Sequence, residues 1–312
     1  MTGSLGLRVV SAGLLTLDVV QVVDRLPRPD EKVVATGLSV DYGGPAANAA
    51  GVARALGAEA TLVSVIGRSV TGELARRLLE TDRVRCVDLA PNSEIPLAVS
   101  TVLVDAASGE RAVVSTNATG VPVEPGVSAL PAELPATDVL LIDGHHLPLC
   151  LQLARQANTR GIPVVFDGGS WKAGTDELLA CVDIAVLSAD FRRPDGRDPL
   201  TAVLAGRTRW AAQSHGAQPL VLRTRSGRAS VVPPRVEIVD TLGAGDVLHG
   251  ALTVAVALLG AQEAQAAQVL TFAARLASIS CRAAGARGWL RGEALRAESE
   301  DLLRALAQFR RS

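Results

Sequence analysis

A β-branched segment, Val236 to Val239, leads into the run Asp240-Thr241-Leu242-Gly243-Ala244-Gly245-Asp246, and an alanine- and leucine-rich stretch begins directly after it. That order predicts strand, tight turn and helix, the unit from which open α/β sheets are built. Gly243 and Gly245 permit backbone angles closed to residues with a Cβ, so successive N–H groups can converge on one point at the positive end of the following helix. Phosphate is the natural guest of such a point. Asp246 falls in the first helical turn, where its carboxylate would repel a bound phosphate unless it had a chemical task. Taking a proton from an attacking hydroxyl is such a task. As a helix cap alone, Asp246 would be worth only ~1 kcal/mol.

The rest of the chain repeats the alternation. Short apolar runs at Leu7 to Val10, Ala60 to Ile66, Val139 to Ile142, Val164 to Phe166, Ile184 to Leu187 and Leu220 to Leu222 read as strands. Between them Gly72 to Glu80, Leu149 to Thr159 and Leu200 to His215 carry apolar residues at helical spacing. Wholly apolar strands separated by helices predict a mostly parallel sheet covered on both faces, with ligands at the carboxyl ends of the strands. Two stretches break the rhythm. Leu17 to Val23 with Glu31 to Val40, and Pro96 to Asp105 with Glu110 to Ser115, read as extended strands joined by turns, a small sheet apart from the main one. Arg291 to Ser312 reads as one surface helix.

Composition removes several function classes. Lys plus Arg number 31 against 32 Asp plus Glu, so no broad basic field exists for nucleic acid or an anionic membrane surface. Aromatics are 3%, too few for base-stacking surfaces, while 48% apolar residues are ample for a large core. Cys86, Cys150, Cys181 and Cys281 are far apart with no C-x-x-C pair, which suggests neither zinc nor disulfides and fits a reducing cytoplasm. No apolar run reaches membrane-spanning length. A dinucleotide-binding oxidoreductase fails on glycine spacing, since Gly243-x-Gly245 is followed by Gly250, and no Gly-Lys-Ser/Thr of a P-loop occurs.

The run Asp240 to Asp246 resembles the C-terminal signature of the PfkB (ribokinase-like) carbohydrate kinases. The family's N-terminal signature is matched by Gly43-Gly44-Pro45-Ala46-Ala47-Asn48-Ala49-Ala50, running on to Leu56-Gly57. The resemblance spans Leu7 to about Leu290 and implies one ribokinase-like catalytic domain, residues 1–312, in a three-layer α/β/α arrangement with a mostly parallel central sheet. The small sheet, residues 17–40 and 96–116, would be a lid over the sugar and the surface of a homodimer. ATP and Mg2+ are the implied cofactors, with a monovalent cation as a further option.

In phosphoryl transfer the protein supplies position and charge compensation. On the resemblance Asp246 is the base, and the N–H groups of Gly243, Ala244 and Gly245 form the anion hole. Asp18, Gly44 and Asn48 bind the sugar, a carboxylate and an amide being suited to neighbouring hydroxyls. Lys32 and Arg111, one on each lid strand pair, would reach an anionic group of substrate or nucleotide. Thr224, Gly227, Ala277 and Cys281 would line the nucleotide site, although the stretch from Thr224 to Asp240 is about ten residues short of the family pattern. In place of the family's Asn-x-x-Glu stands Ser188-Ala189-Asp190-Phe191, and no metal-ligand cluster is visible.

Leu17-Asp18-Val19 and Pro233-Pro234-Arg235 are similar to ketohexokinases, whereas Gly44-Pro45-Ala46-Ala47 and the run Asp246 to Leu252 are similar to bacterial sulfofructose kinases. The sulfonate-binding arginine of the latter is matched by His145, a poor substitute for a bidentate fork. The expected reaction is transfer from MgATP to a hydroxyl, expected to be a primary one, of a ketose, pentose or sugar acid. A nucleoside kinase of the same family and a catalytically weak sugar- or nucleotide-binding homologue are the alternatives.

Overall fold

A computed structural model describes residues 5–117 and 134–309. Its larger sheet has nine strands. From edge to edge they run β13 (Arg228–Val231), β12 (Gln218–Thr224), β11 (Trp210–His215), β10 (Ile184–Leu187), β9 (Val164–Gly168), β8 (Val139–Ile142), β1 (Arg8–Ala12), β4 (Glu59–Ser64) and β5 (Arg85–Asp88). Every strand from β11 to β5 is parallel to its neighbour, and β12 and β13 add an antiparallel edge. The central strands are apolar along their whole length because both faces are covered: β8 and β10 are buried at every residue. On one face pack α1 (Pro45–Ala55), α2 (Val70–Thr81), α6 (Ala244–Leu259), α7 (Glu263–Ser280) and α8 (Glu293–Phe309). The other carries α3 (Leu147–Thr159), α4 (Thr175–Leu179) and α5 (Pro199–Leu204). This is a three-layer α/β/α arrangement, with a small separate sheet beside it.

The small sheet has the order β3 (Gly37–Gly43), β2 (Thr16–Val23), β6 (Val99–Asp105), β7 (Arg111–Ser115). Its register sets Asp18 beside Asp41 and Ser100, with Ser115 opposite Ser100, so these four share one face. Leu17, Tyr42, Val19, Val40 and Val114 lie on the other face. Of that second set Leu17 and Tyr42 are buried, and Val40 and Val114 are exposed.

Three expectations from the sequence need correction. Leu200 to His215 is not one helix: α5 stops at Leu204 and residues 210–215 are β11, deep in the sheet with Trp210 fully buried. Val236 to Val239 does not join either sheet. It is an extended, largely exposed segment that ends where Val239 N and Asp240 N both donate to the Cys281 carbonyl at the end of α7 (2.8 and 3.2 Å). Third, the strand expected from Glu31 forms only from Gly37 and runs on to Gly43.

Strand β1 leads through β2 and β3 of the small sheet into α1 on one face, its neighbour β8 leads into α3 on the other, and their carboxyl ends form the switch point at which open sheets collect ligands. Buried Asp143, just after β8, fastens this point. Its Oδ2 accepts from Leu14 N (2.9 Å) and from Ala46 N at the start of α1 (3.2 Å), and its Oδ1 accepts from His145 N (2.9 Å). The carboxylate lies so close to Gly13 that a Cβ there would be 1.9 Å from it.

Candidate active site

Three elements meet above the switch point. Helix α1 brings Asn48, α6 brings Asp246, and β2 brings Asp18. Together with Thr16, Gly44, Ser100, Val113, Ser115, Asn117, Leu242 and Gly243 they line a cavity of about 210 Å3. The glycines of the first signature are required by close approach: a Cβ on Gly43 would strike the Asp18 carboxylate at 2.0 Å, and one on Gly44, where φ is 93°, the Leu14 carbonyl at 2.5 Å.

Asp246 lies in this cavity beside Asn48. Asn48 Nδ2 donates to its Oδ2 at 2.5 Å. Burial among protein atoms, then the nearby Asp167 carboxylate, push the Asp246 carboxyl up to about 7, against the pull of the Asn48 hydrogen bond and of His249. A carboxylate so tuned is matched to taking a proton near neutral pH. Asp18 is also raised, by burial, although the Thr16 hydroxyl donates to it at 2.7 Å.

The turn beneath Asp246 is Leu242-Gly243-Ala244-Gly245, which leads into α6. Gly243 is left-handed (φ 75°), and a Cβ there would lie 2.5 Å from Ala286 Cβ, whereas Gly245 faces open space. The Ala244 N–H already donates to the Thr241 carbonyl (3.2 Å). Among the described residues Gly243 N–H and Gly245 N–H, unlike Ala244 N–H, have no acceptor. His249, absent from the sequence expectations, braces this turn: its Nδ1 lies 2.7 Å from the Gly245 carbonyl and 3.3 Å from Asp167 Oδ2, and its Nε2 lies 3.1 Å from the Val186 carbonyl.

On the far side of the turn lies a second, mostly apolar cleft of about 520 Å3, lined by Ser214, Gly216, Pro233, Val236, Ala244, Gly245, Ala277 and Cys281 among others. Ala277 and Cys281 are thus brought to the glycine turn. Thr224 and Gly227 are not. Thr224 pairs with Trp210 at the amino end of β11, and Gly227 lies in the β12–β13 turn beside it, both at the opposite end of the sheet. The carboxyl end of β11 and the turn after it, Ser214, Gly216 and Ala217, stand at the cleft instead. The misreading of β11 as helix hid them.

Lys32 is exposed in the connection between β2 and β3 and lines neither cavity. Arg111 reaches from β7 to the signature loop, where it donates to Thr241 Oγ1 and its Nη1 lies 3.6 Å from Asp240 Oδ1. His145 and His146 do not line the polar cavity; His145 is bound to Asp143 and His146 begins α3. Sequence reasoning also missed Arg287, which donates to Asn48 Oδ1 (2.6 Å), because an isolated arginine in a charged stretch carries no motif. Among the described residues no group of three His, Cys, Asp or Glu side chains could hold a metal ion, and no helix is long and apolar enough to cross a membrane. All four cysteines are unpaired.

Residues 7–290 match the family described as pfkB family carbohydrate kinase. An ATP-dependent ribose-1-phosphate kinase from Halopiger xanaduensis is 33% identical over 257 residues, covering 77% of this chain and 81% of that protein. A ribokinase from Bacillus subtilis is 26% identical over 304 residues, covering 93% and 97%. The structure of ribokinase from Giardia lamblia shares the fold, with a TM-score of 0.73 at 17% identity over 97% of this chain and 99% of that one.

Proposed function

This chain belongs to the pfkB family of carbohydrate kinases, and from that premise we propose that it moves the γ-phosphoryl group of ATP onto a primary hydroxyl of a neutral ketose or pentose. Family membership makes it a phosphotransferase with an alcohol acceptor. The observation that carries the finer reading is that two cavities meet at one glycine turn, a small polar one holding Asp18, Asn48 and Asp246 and a larger apolar one on the other side.

In this reading Asp18 accepts from two neighbouring sugar hydroxyls and aligns the acceptor. Asp246 takes the proton of the attacking hydroxyl as the new O–P bond forms. The Gly243 and Gly245 N–H groups meet the charge that grows on the transferred group, a contribution of about 3 kcal/mol per donor in comparable sites. The apolar cleft suits an adenine ring, and open space over Gly245 leaves room for phosphates. ATP supplies the phosphoryl group. Mg2+ needs at most one or two protein carboxylates when it rides on phosphates, so the lack of a ligand cluster among the described residues is no obstacle.

The small sheet would close over the acceptor, since Ser100, Val113 and Ser115 already line the cavity and Arg111 ties β7 to the signature loop. Water would thereby be kept from the phosphoryl group. The polar cavity lacks aromatic side chains among its described lining residues, which favours a sugar over a nucleoside. It also lacks Lys and Arg there, which favours a neutral acceptor over a sugar acid or a sugar phosphate such as the name of the Halopiger xanaduensis relative carries.

Release of ADP from MgATP, measured over free ketoses and pentoses, their 1-phosphates, sugar acids and nucleosides, tests this. A neutral sugar should give turnover that Asp246→Asn removes. Turnover with a 1-phosphate alone would overturn the choice of acceptor, and ADP release unaffected by Asp246→Asn would overturn the base.

A further inference from the structure

The Asn48 amide has an acceptor end and a donor end, and the one that faces Asp246 decides whether that carboxylate is helped or hindered in ionising. Its Oδ1 accepts from Arg287 Nη1 at 2.6 Å and its Nδ2 donates to Asp246 Oδ2 at 2.5 Å. A guanidinium has five donors and no acceptor, so only Oδ1 can face Arg287 and only Nδ2 is left for Asp246. Arg287 is itself held firmly. It stacks 3.6 Å over the Tyr42 ring, donates to the Tyr42 carbonyl and pairs with Asp41 Oδ1 at 2.8 Å. Asp82 lies 3.8 Å from its Nε and accepts from the Tyr42 hydroxyl at 2.7 Å. At 9% exposure such a charge is costly unless paired, and these contacts compensate it.

We propose that Arg287 is a positioning residue for the phosphoryl transfer: it locks the Asn48 amide so that Nδ2 occupies Asp246 Oδ2, leaving Asp246 Oδ1 as the atom that takes the acceptor's proton. The proposal rests on Asp246 being the base. A reversed amide would set oxygen against oxygen and hold Asp246 protonated, which removes the base. The other groups that bear on Asp246 are Asp167 from β9 and Asp18 from β2, which oppose its ionisation, and His249 one turn along α6, which favours it. Asn48 is the hydrogen-bond donor among these causes, and Arg287 sets its orientation.

Asparagine occurs only at positions 48, 92, 117 and 158, so protein labelled with 15N-asparagine gives few side-chain amide signals. The pair lost in Asn48→Ala belongs to Asn48. In the wild type that pair should titrate with Asp246, at a midpoint of about 7. In Arg287→Met the midpoint should move upward and kcat on the acceptor should fall by up to about 100-fold, with KM for ATP unchanged. In an Asn48→Ala background Arg287→Met should cost nothing more. Should Arg287→Met not fold, Arg287→Lys keeps the charge beside Asp41 but cannot span to Asn48, and the same shift is expected. A wild-type midpoint in a folded Arg287 variant, or a full additional loss in the double variant, overturns the proposal. The amide titration needs no acceptor, so failure of the sugar-kinase reading would appear separately, as a wild type that titrates but does not turn over.

Discussion

At Asp246, activity and stability are set against each other. Because its carboxyl is raised to about 7 from the ordinary carboxylate range, the folded chain keeps a proton that the unfolded chain releases near 4. Its contribution to stability is therefore present in full below about 4, is lost as pH rises toward 7, and stays lost above. Asparagine has no ionisation cost, so Asp246→Asn should be more stable than wild type at pH 8 by a few kcal/mol and melt at a higher temperature, with no such gain at pH 4. The same substitution should lower kcat by about 10²- to 10⁴-fold. Wild-type turnover should rise with pH through about 7. Thermal melts at the two pH values and a pH–rate profile check all three; a stability loss at pH 8 would mean that Asp246 is only a helix cap. Asp246, Asn48 and Asp18 were legible in the sequence because each sits in a motif or is a carboxylate in an apolar run. Arg287 and His249 were not, because their importance comes from partners that lie far away in the sequence.

The packing of α1 on α6 decides how far Asn48 stands from Asp246, and Gly250 sets that packing. A Cβ on Gly250 would lie 2.7 Å from Val52 Cβ and 2.8 Å from the Ala49 carbonyl, neither of which can swing away. Alanine in a helix gains up to about 1 kcal/mol over glycine, but overpacking against immovable atoms costs about 1–3 kcal/mol. The clash should win. Gly250→Ala should lower the melting temperature and push α1 outward, so kcat falls while the apolar cleft still binds ATP. Calorimetry with and without ATP would check this, and an unchanged kcat would show that the helices tolerate the shift. Strands are legible in the sequence where apolar runs are short and bounded, as in β8 and β10, and obscured where signals conflict. Trp210 to His215 has no strand alternation and follows a true helix, and Val236 to Val239 has strand composition but no neighbour to pair with.

Across the whole molecule, the covered parallel sheet follows from the apolar strands, and the site follows from the switch point at their carboxyl ends. The small sheet is different, since its two faces have different tasks. One lines the polar cavity through Asp18, Ser100 and Ser115. The other exposes Leu38 (69%), Val40 (39%) and Val114 (75%), an apolar surface on strands that include both edges of the sheet. Such a surface on a free edge invites pairing, and a second copy of this chain would meet it with an identical apolar face. Light scattering at micromolar concentration should give twice the chain mass. Leu38→Lys with Val114→Glu should give one chain mass with little change in melting temperature, because neither side chain belongs to the core. If the pairing also steadies the sheet over the acceptor, this variant should raise KM for the sugar more than KM for ATP, and ATP hydrolysis without sugar should increase. A wild type that stays monomeric, or a double variant that stays dimeric, would remove this face from the assembly and leave Arg111 as the tie that holds the sheet to the site.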